Sequence, residues 1–208
     1  MDRFQRYGVP VILNVLALMP VGWMAWDAAT GNLSADPIRE VQLRTGIYAI
    51  ILLVISLACS PLYHLLGFGW LLPARRIAGL YAFGYAALHL LNFVGLDYGF
   101  NLNYLSMGIL DKRYVIAGLL AFLLLIPAVV TSTRGWRRRL GKSWKYWHYP
   151  IYLAALLAVV HFIWQAKIVI GLPLVFSALI VFLLLLRLPF ISRFLSAVGK
   201  QRGQGAHP

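Results

Sequence analysis

Six stretches of this chain, near residues 9–26, 45–63, 77–96, 114–133, 148–165 and 168–187, stay apolar over roughly 18 to 20 residues, the length of an α-helix that crosses a bilayer core. No other feature limits the fold so strongly. Composition agrees: 61% of residues are apolar and only 12% charged, about half of what a soluble domain uses to cover its surface. The expected fold is therefore an all-α membrane protein, a six-transmembrane-helix bundle forming a single domain over 1–208. The connecting loops are too short to hold a soluble domain. Arg3 and Arg6 precede the first apolar run as they would in a cleaved leader. That run is long, broken by Pro10 and Pro20, and ends in Trp23 and Trp26, so a retained first helix is expected.

The formal charge of +13 raises the question of nucleic acid. Its distribution answers otherwise. With six spans, one side receives Arg3, Arg6, Arg75, Arg76, Arg134, Arg137, Arg138, Arg139, Lys142, Lys145, Arg187, Arg193, Lys200 and Arg202, fourteen of the nineteen basic residues. The other side holds Arg39, Arg44, Lys112, Arg113 and Lys167, with every acid except Asp2. This is the positive-inside bias, with both termini cytoplasmic and anionic lipid as the partner of the basic face. No nucleic-acid footprint is implied. The single cysteine, Cys59, allows no intrachain disulfide and no thiolate zinc site.

Histidines are the anomaly, because an imidazole in hydrocarbon is costly unless something there needs it. His207 lies in the polar tail and His64 at the cytoplasmic end of the second span, both unexceptional places. His89 is different. It falls roughly 18 Å into the third span, in the outer half of the bilayer, and His161 lies about 6 Å below the outer boundary of the fifth. Ala82, Ala86 and His89 share the spacing A-x3-A-x2-H with Ala154, Ala158 and His161. At about 100° per residue, both alanines lie on the histidine's face, so each helix is shaved nearly to backbone below its imidazole. Small-xxx-small spacing also serves ordinary helix packing. Occurring twice, with a histidine at one depth each time, it suits a flat object clamped between two helices. Haem is the natural one, since its iron takes one imidazole per face. Zinc would want more ligands than this depth offers. A proton relay and purely structural histidines stay open as alternatives.

About 20 Å lower, the same two spans offer His148 and Arg75. A guanidinium cannot ligate iron, but it can hold a propionate, a phosphate or a semiquinone anion. The plain alternative is that Arg75, Arg76 and His148 anchor the helices at the interface.

Four segments carry a resemblance: LSADPIREVQLRTG (33–46), RRIAGLYAFGYAALHLLNF (75–93), TSTRGWRRRLGKSWKYWHYPIYL (131–153) and AVVHFIWQAK (158–167). Together they resemble the MsrQ (YedZ) family, a branch of the ferric-reductase-like transmembrane superfamily that includes the NADPH oxidases. The resemblance implies a b-type cytochrome of the inner membrane. It also implies a soluble periplasmic partner, the molybdenum-cofactor enzyme MsrP, which reduces methionine sulfoxide in oxidised proteins. Electrons would come from the quinone pool or a cytosolic flavin reductase, and FMN is associated with the family. His89 and His161 correspond to the family's haem-ligand histidines, and His148 to a third whose role is less settled. The oxidases carry two histidines on each of two helices. Arg75 stands here in the fourth position, so one haem b is expected, and a second would need an unusual ligand.

The resulting expectation is an electron-transfer subunit of an oxidoreductase, not itself catalytic on the sulfoxide. Asp27, Asp36, Glu40, Asp97 and Asp111 are expected to be exposed acids that dock the periplasmic partner. The competing readings are a stand-alone ferric or cupric reductase and a small histidine-relay transporter.

Overall fold

The computed structural model of the chain describes residues 4–166, 171–188 and 191. Helix dominates, and no strand occurs among the described residues. A π-helical turn, Phe4–Gly8, leads into α1 (Val9–Thr30). Then come α2 (Pro37–Leu66) and α3 (Leu71–Leu91), which a π-helical stretch extends over Asn92–Asp97. A short α4 (Leu102–Asp111) precedes α5 (Arg113–Val130). The basic segment forms α6 (Arg134–Leu140) and a 3-10 stretch, Gly141–His148, before α7 (Pro150–Gln165) and α8 (Gly171–Leu185). Five stretches are long and apolar enough to cross a membrane: Val9–Thr30, Pro37–Leu66, Leu71–Asp97, Arg113–Val130 and Arg134–Gln165. Gly171–Leu185 is a shorter apolar helix. The protein is thus the all-α membrane bundle that the apolar runs imply. Asp2, Arg3, Lys167, Arg193, Lys200, Arg202 and His207 lie outside the described residues.

Local chemistry sets the ends of α2, the longest helix. Pro37 occupies its first turn, where a missing N–H costs nothing, and the Asp36 carboxylate accepts from the Arg39 N–H at 3.1 Å. At the other end Gly67 takes a left-handed φ of 72° and donates its N–H to the Tyr63 carbonyl at 2.9 Å. Pro61 sits inside the helix and cannot donate to the carbonyl four residues back. That carbonyl, on Leu57, accepts instead from Arg187 Nη2 at 2.7 Å. In hydrocarbon such a replacement is obligatory rather than optional.

α2 and α3 form one tightly packed antiparallel pair and α5 with α7 another; α8 bridges α2 and α7. Ile50, Leu53 and Leu57 of α2 meet Ala82 of α3, Ala155 and Val159 of α7, and Ile180 and Leu183 of α8 in the main core. Small residues at these contacts let the backbones approach, which matters where lipid competes equally for apolar surface.

α1 is peripheral, burying only Ala17, Met24 and Asp27. Polar tethers hold it. The Tyr85 hydroxyl donates to the Ala17 carbonyl at 2.7 Å, and the Tyr81 hydroxyl to Asn14 Oδ1 at 3.0 Å. Asp27 pairs with Arg44 of α2 at 2.5 Å, and Arg44 also pairs with Glu40 one turn back. Tyr85→Phe, which removes only the hydroxyl from a side chain that is 2% exposed, is expected to cost about 1 kcal/mol. A thermal melt of the detergent-solubilised protein should fall by roughly 2–4 °C. An unchanged midpoint would mean that α1 does not depend on this bond.

Candidate functional site

The site is built from the far end of the bundle, opposite the basic segment. His89 lies in the last turn of α3, and His161 near the end of α7. Their rings meet edge to face, centroids 6.0 Å apart and planes at 87°. The two histidines singled out by spacing are therefore brought together.

Hydrogen bonds fix the state of each ring. His89 Nδ1 lies 2.9 Å from the Gln42 carbonyl, which only accepts, so Nδ1 carries the proton and donates. In the neutral ring Nε2 then holds the lone pair, and the Gln42 side-chain amide donates to it at 3.1 Å. Gln42 is itself held: Asn92 Nδ2 donates to its Oε1 at 2.6 Å and to the Ile38 carbonyl at 3.1 Å. His161 Nδ1 likewise donates to the Tyr114 carbonyl at 2.6 Å. Both imidazoles thus keep Nδ1 on backbone and the lone pair on Nε2, the tautomer that binds an iron or other metal ion, although at His89 the Gln42 amide now takes that lone pair and would have to give way.

Space around the rings comes from glycine and alanine. A Cβ at Gly46 of α2 would stand 3.1 Å from His89 Nδ1 and Cε1. One at Gly118 of α5 would stand 2.6 Å from His161 Nδ1. Below the rings Ala82 and Ala154 are buried, while Ala86 and Ala158 are half-buried. Among the described residues no group of three or more His, Cys, Asp or Glu could hold a metal ion. Two imidazoles brought together from different helices are the donor set that would hold a haem iron, so these residues fit that group.

Toward the basic end, His148 belongs to the 3-10 stretch, ahead of the regular helix. Its Nδ1 donates to the Trp144 carbonyl at 3.1 Å, and its ring lies on Trp144 with centroids 3.8 Å apart. The Arg75 charge reaches it from α3. His64 sits exposed, edge-on to Tyr63 with centroids 5.7 Å apart.

The acids at the far end need correction. Asp27 is not exposed; it is 8% accessible and consumed by its pair with Arg44. Glu40 is shared between Arg44 and the Ser34 N–H, and Asp36 is the cap of α2. Asp36, Asp97 and Asp111 are exposed as expected. Beside the last two Lys112 donates to the Tyr98 hydroxyl at 3.2 Å, which holds its ammonium pKa above the usual lysine range.

Residues 45–159 match the family model for the "Ferric reductase like transmembrane component". The chain is also similar to proteins named "Protein-methionine-sulfoxide reductase heme-binding subunit MsrQ". The one from Xanthomonas axonopodis pv. citri (strain 306) is 38% identical over 179 residues, covering 83% of this chain and 82% of that relative. The one from Xanthomonas campestris pv. campestris (strain 8004) is 41% identical over 176 residues, covering 83% and 80%. The chain belongs to the MsrQ family. The ferric-reductase match takes in Gly46, Arg75, His89, Gly118 and His148 and ends two residues before His161.

Gln42, Asn92, Gly46 and Gly118 are the site residues that spacing did not single out. Two of these are amides inside or beside apolar spans, which is the only signal they leave in one sequence. The glycine contacts yield a test. Gly118→Ala should displace the His161 ring and strain its bond to Tyr114, lowering the melting midpoint by an amount equivalent to about 1–3 kcal/mol of overpacking. Gly84→Ala, where a Cβ meets nothing within 4 Å, is the control and should leave the midpoint in place. Equal melts for the two variants would remove Gly118 from the site.

Proposed function

We propose that this chain is the haem-binding, electron-transferring membrane subunit of a methionine sulfoxide reductase system, in which His89 and His161 would hold one haem b. One observation carries the reading. Two imidazoles from different helices meet with centroids 6.0 Å apart, each with Nδ1 tied to a backbone carbonyl and its lone pair on Nε2, where the Gln42 amide stands in at His89 for the metal. When bound there, such a haem supplies a one-electron carrier within the bilayer. The chain's own contribution is positional. The Gln42 and Tyr114 carbonyls set the tautomer and aim of the two rings, and Gly46 and Gly118 admit them against the neighbouring helices.

On this reading the basic end faces the cytoplasm of an inner-membrane protein, with both termini on that side. Quinol or a cytosolic flavin reductase donates there, near Arg75 and His148, and FMN belongs to that donor side. The electron acceptor is a periplasmic molybdenum-cofactor enzyme that reduces methionine sulfoxide in oxidised proteins. With Asp27 and Glu40 committed to Arg44, its docking falls to the remaining exposed acids, Asp36, Asp97 and Asp111. The relatives' name, a heme-binding subunit, supports the haem assignment.

The test is a dithionite-reduced minus air-oxidised visible spectrum of the purified protein. Sharp b-type α and Soret bands are expected in the wild type. His89→Ala and His161→Ala should each lose the low-spin signature, whereas His148→Ala keeps it. Full haem content in either of the first two variants would strike that ligand from the assignment. A colourless wild type, expressed with added haem, would sink the reading.

A further inference from the structure

We infer that Arg75, Arg187 and Ser60 form a binding site for a phosphate group at the basic end of the bundle. The starting point is charge without a counter-ion among the described residues. The Arg75 guanidinium is half-buried, and the charge of another guanidinium, that of Arg187, acts on it. Cys59, Tyr152 and His148 lie within reach of the same charge. All five acids among the described residues, Asp27, Asp36, Glu40, Asp97 and Asp111, lie toward the far end. Two like charges held together repel one another, and a protein retains such a pair at a cost unless an anion offsets it.

The donors present match that need. Arg187 is anchored from below: Nη2 donates to the Leu57 carbonyl that Pro61 leaves open, and Nη1 to the Tyr152 hydroxyl at 3.2 Å. Its Nε is buried and meets no partner. Ser60 Oγ is also buried without a partner. These are two of the three such side-chain atoms among the described residues, so their coincidence at one level is informative. Ser60 sits between the two arginines by helical geometry. On α2 it lies about 40° from Ser56, whose hydroxyl donates to the Arg75 carbonyl, and about 60° from Leu57, which holds Arg187. No side-chain hydrogen bond occupies the Arg75 guanidinium among the described residues. Two guanidinium donors and a hydroxyl supplied by α3, α2 and the end of α8 at this end of the bundle suit a tetrahedral oxyanion. Two sources share that chemistry: the headgroup phosphate of an anionic lipid in the adjoining leaflet, and a phosphate group on a soluble molecule.

The inference stands apart from the haem reading, because its test reads anion-dependent stability rather than absorbance. Wild type, Arg75→Gln and Ser60→Ala are melted in a maltoside detergent, which carries no phosphate. The conditions are no added anion, a fraction of phosphatidylglycerol, or inorganic phosphate at constant ionic strength set with sodium chloride. A crossover is expected. Without phosphate, Arg75→Gln melts at or above wild type, because one of two repelling charges is gone. With phosphate it melts below wild type, because the ligand stabilises only the intact site. Ser60→Ala should shrink the phosphate-dependent rise while leaving the anion-free melt close to wild type. A rise with phosphatidylglycerol alone assigns the site to a lipid headgroup, and a rise with inorganic phosphate as well assigns it to a soluble phosphate. Lys142→Gln, in the exposed basic segment, should keep the full rise. The proposal is overturned if wild type gains nothing from either probe. It is also overturned if Arg75→Gln and Ser60→Ala gain as much as wild type. Should Arg75→Gln fail to fold, the Ser60→Ala comparison decides.

Discussion

A polar group that leaves water for hydrocarbon must find its partner inside the protein, and this bundle is arranged around that requirement. Apolar contact cannot hold the helices together, since lipid offers the same contact. What holds them is closeness of backbone at alanine and glycine, and a small set of hydrogen bonds that have nowhere else to go. The peripheral α1 hangs on two tyrosine hydroxyls and an ion pair. Pro61 breaks the ladder of α2, and a guanidinium from the end of α8, 130 residues away, closes the gap. The same requirement governs the site. Each imidazole is stable within the bundle because its Nδ1 proton lands on a carbonyl of the partner helix, and that bond also decides which nitrogen is left to bind.

How much of this could be read from the sequence follows from the range of each interaction. Apolar run length is a local property, and the helical membrane fold is legible in it. The imidazoles are legible too, because a histidine in such a run is conspicuous by itself and the A-x3-A-x2-H spacing lies within eight residues. Gln42 and Asn92 reach their partners across about fifty positions, and no periodicity reports a contact at that separation. Gly46 and Gly118 matter only because of rings on other helices, so in sequence they look like any small residue in a span.

The loops went the other way. Residues 97–113 and 134–148 carry charge and polarity and look like connecting segments, yet both contain helix. Asn101 caps α4 by accepting from the N–H groups of Asn103 and Tyr104, and Thr133 caps α6 by accepting from that of Trp136. These are recognisable caps, overshadowed in the sequence by the stronger spans beside them. The misjudged acids have a single cause. A carboxylate in a polar loop looks free until the arginine that claims it is placed, and Arg44 claims both Asp27 and Glu40.

The length of α2 has a mechanical consequence. Thirty residues make a rod of about 45 Å, against about 30 Å of hydrocarbon. The surplus is polar at the far end, where Arg39, Glu40 and Arg44 succeed one another and Arg44 braces the helix to α1. That end of the molecule is accordingly a stiff post braced to α1, rather than a limp connection. A protein that lands on it freezes side chains but no backbone, so the entropic toll of contact there is small.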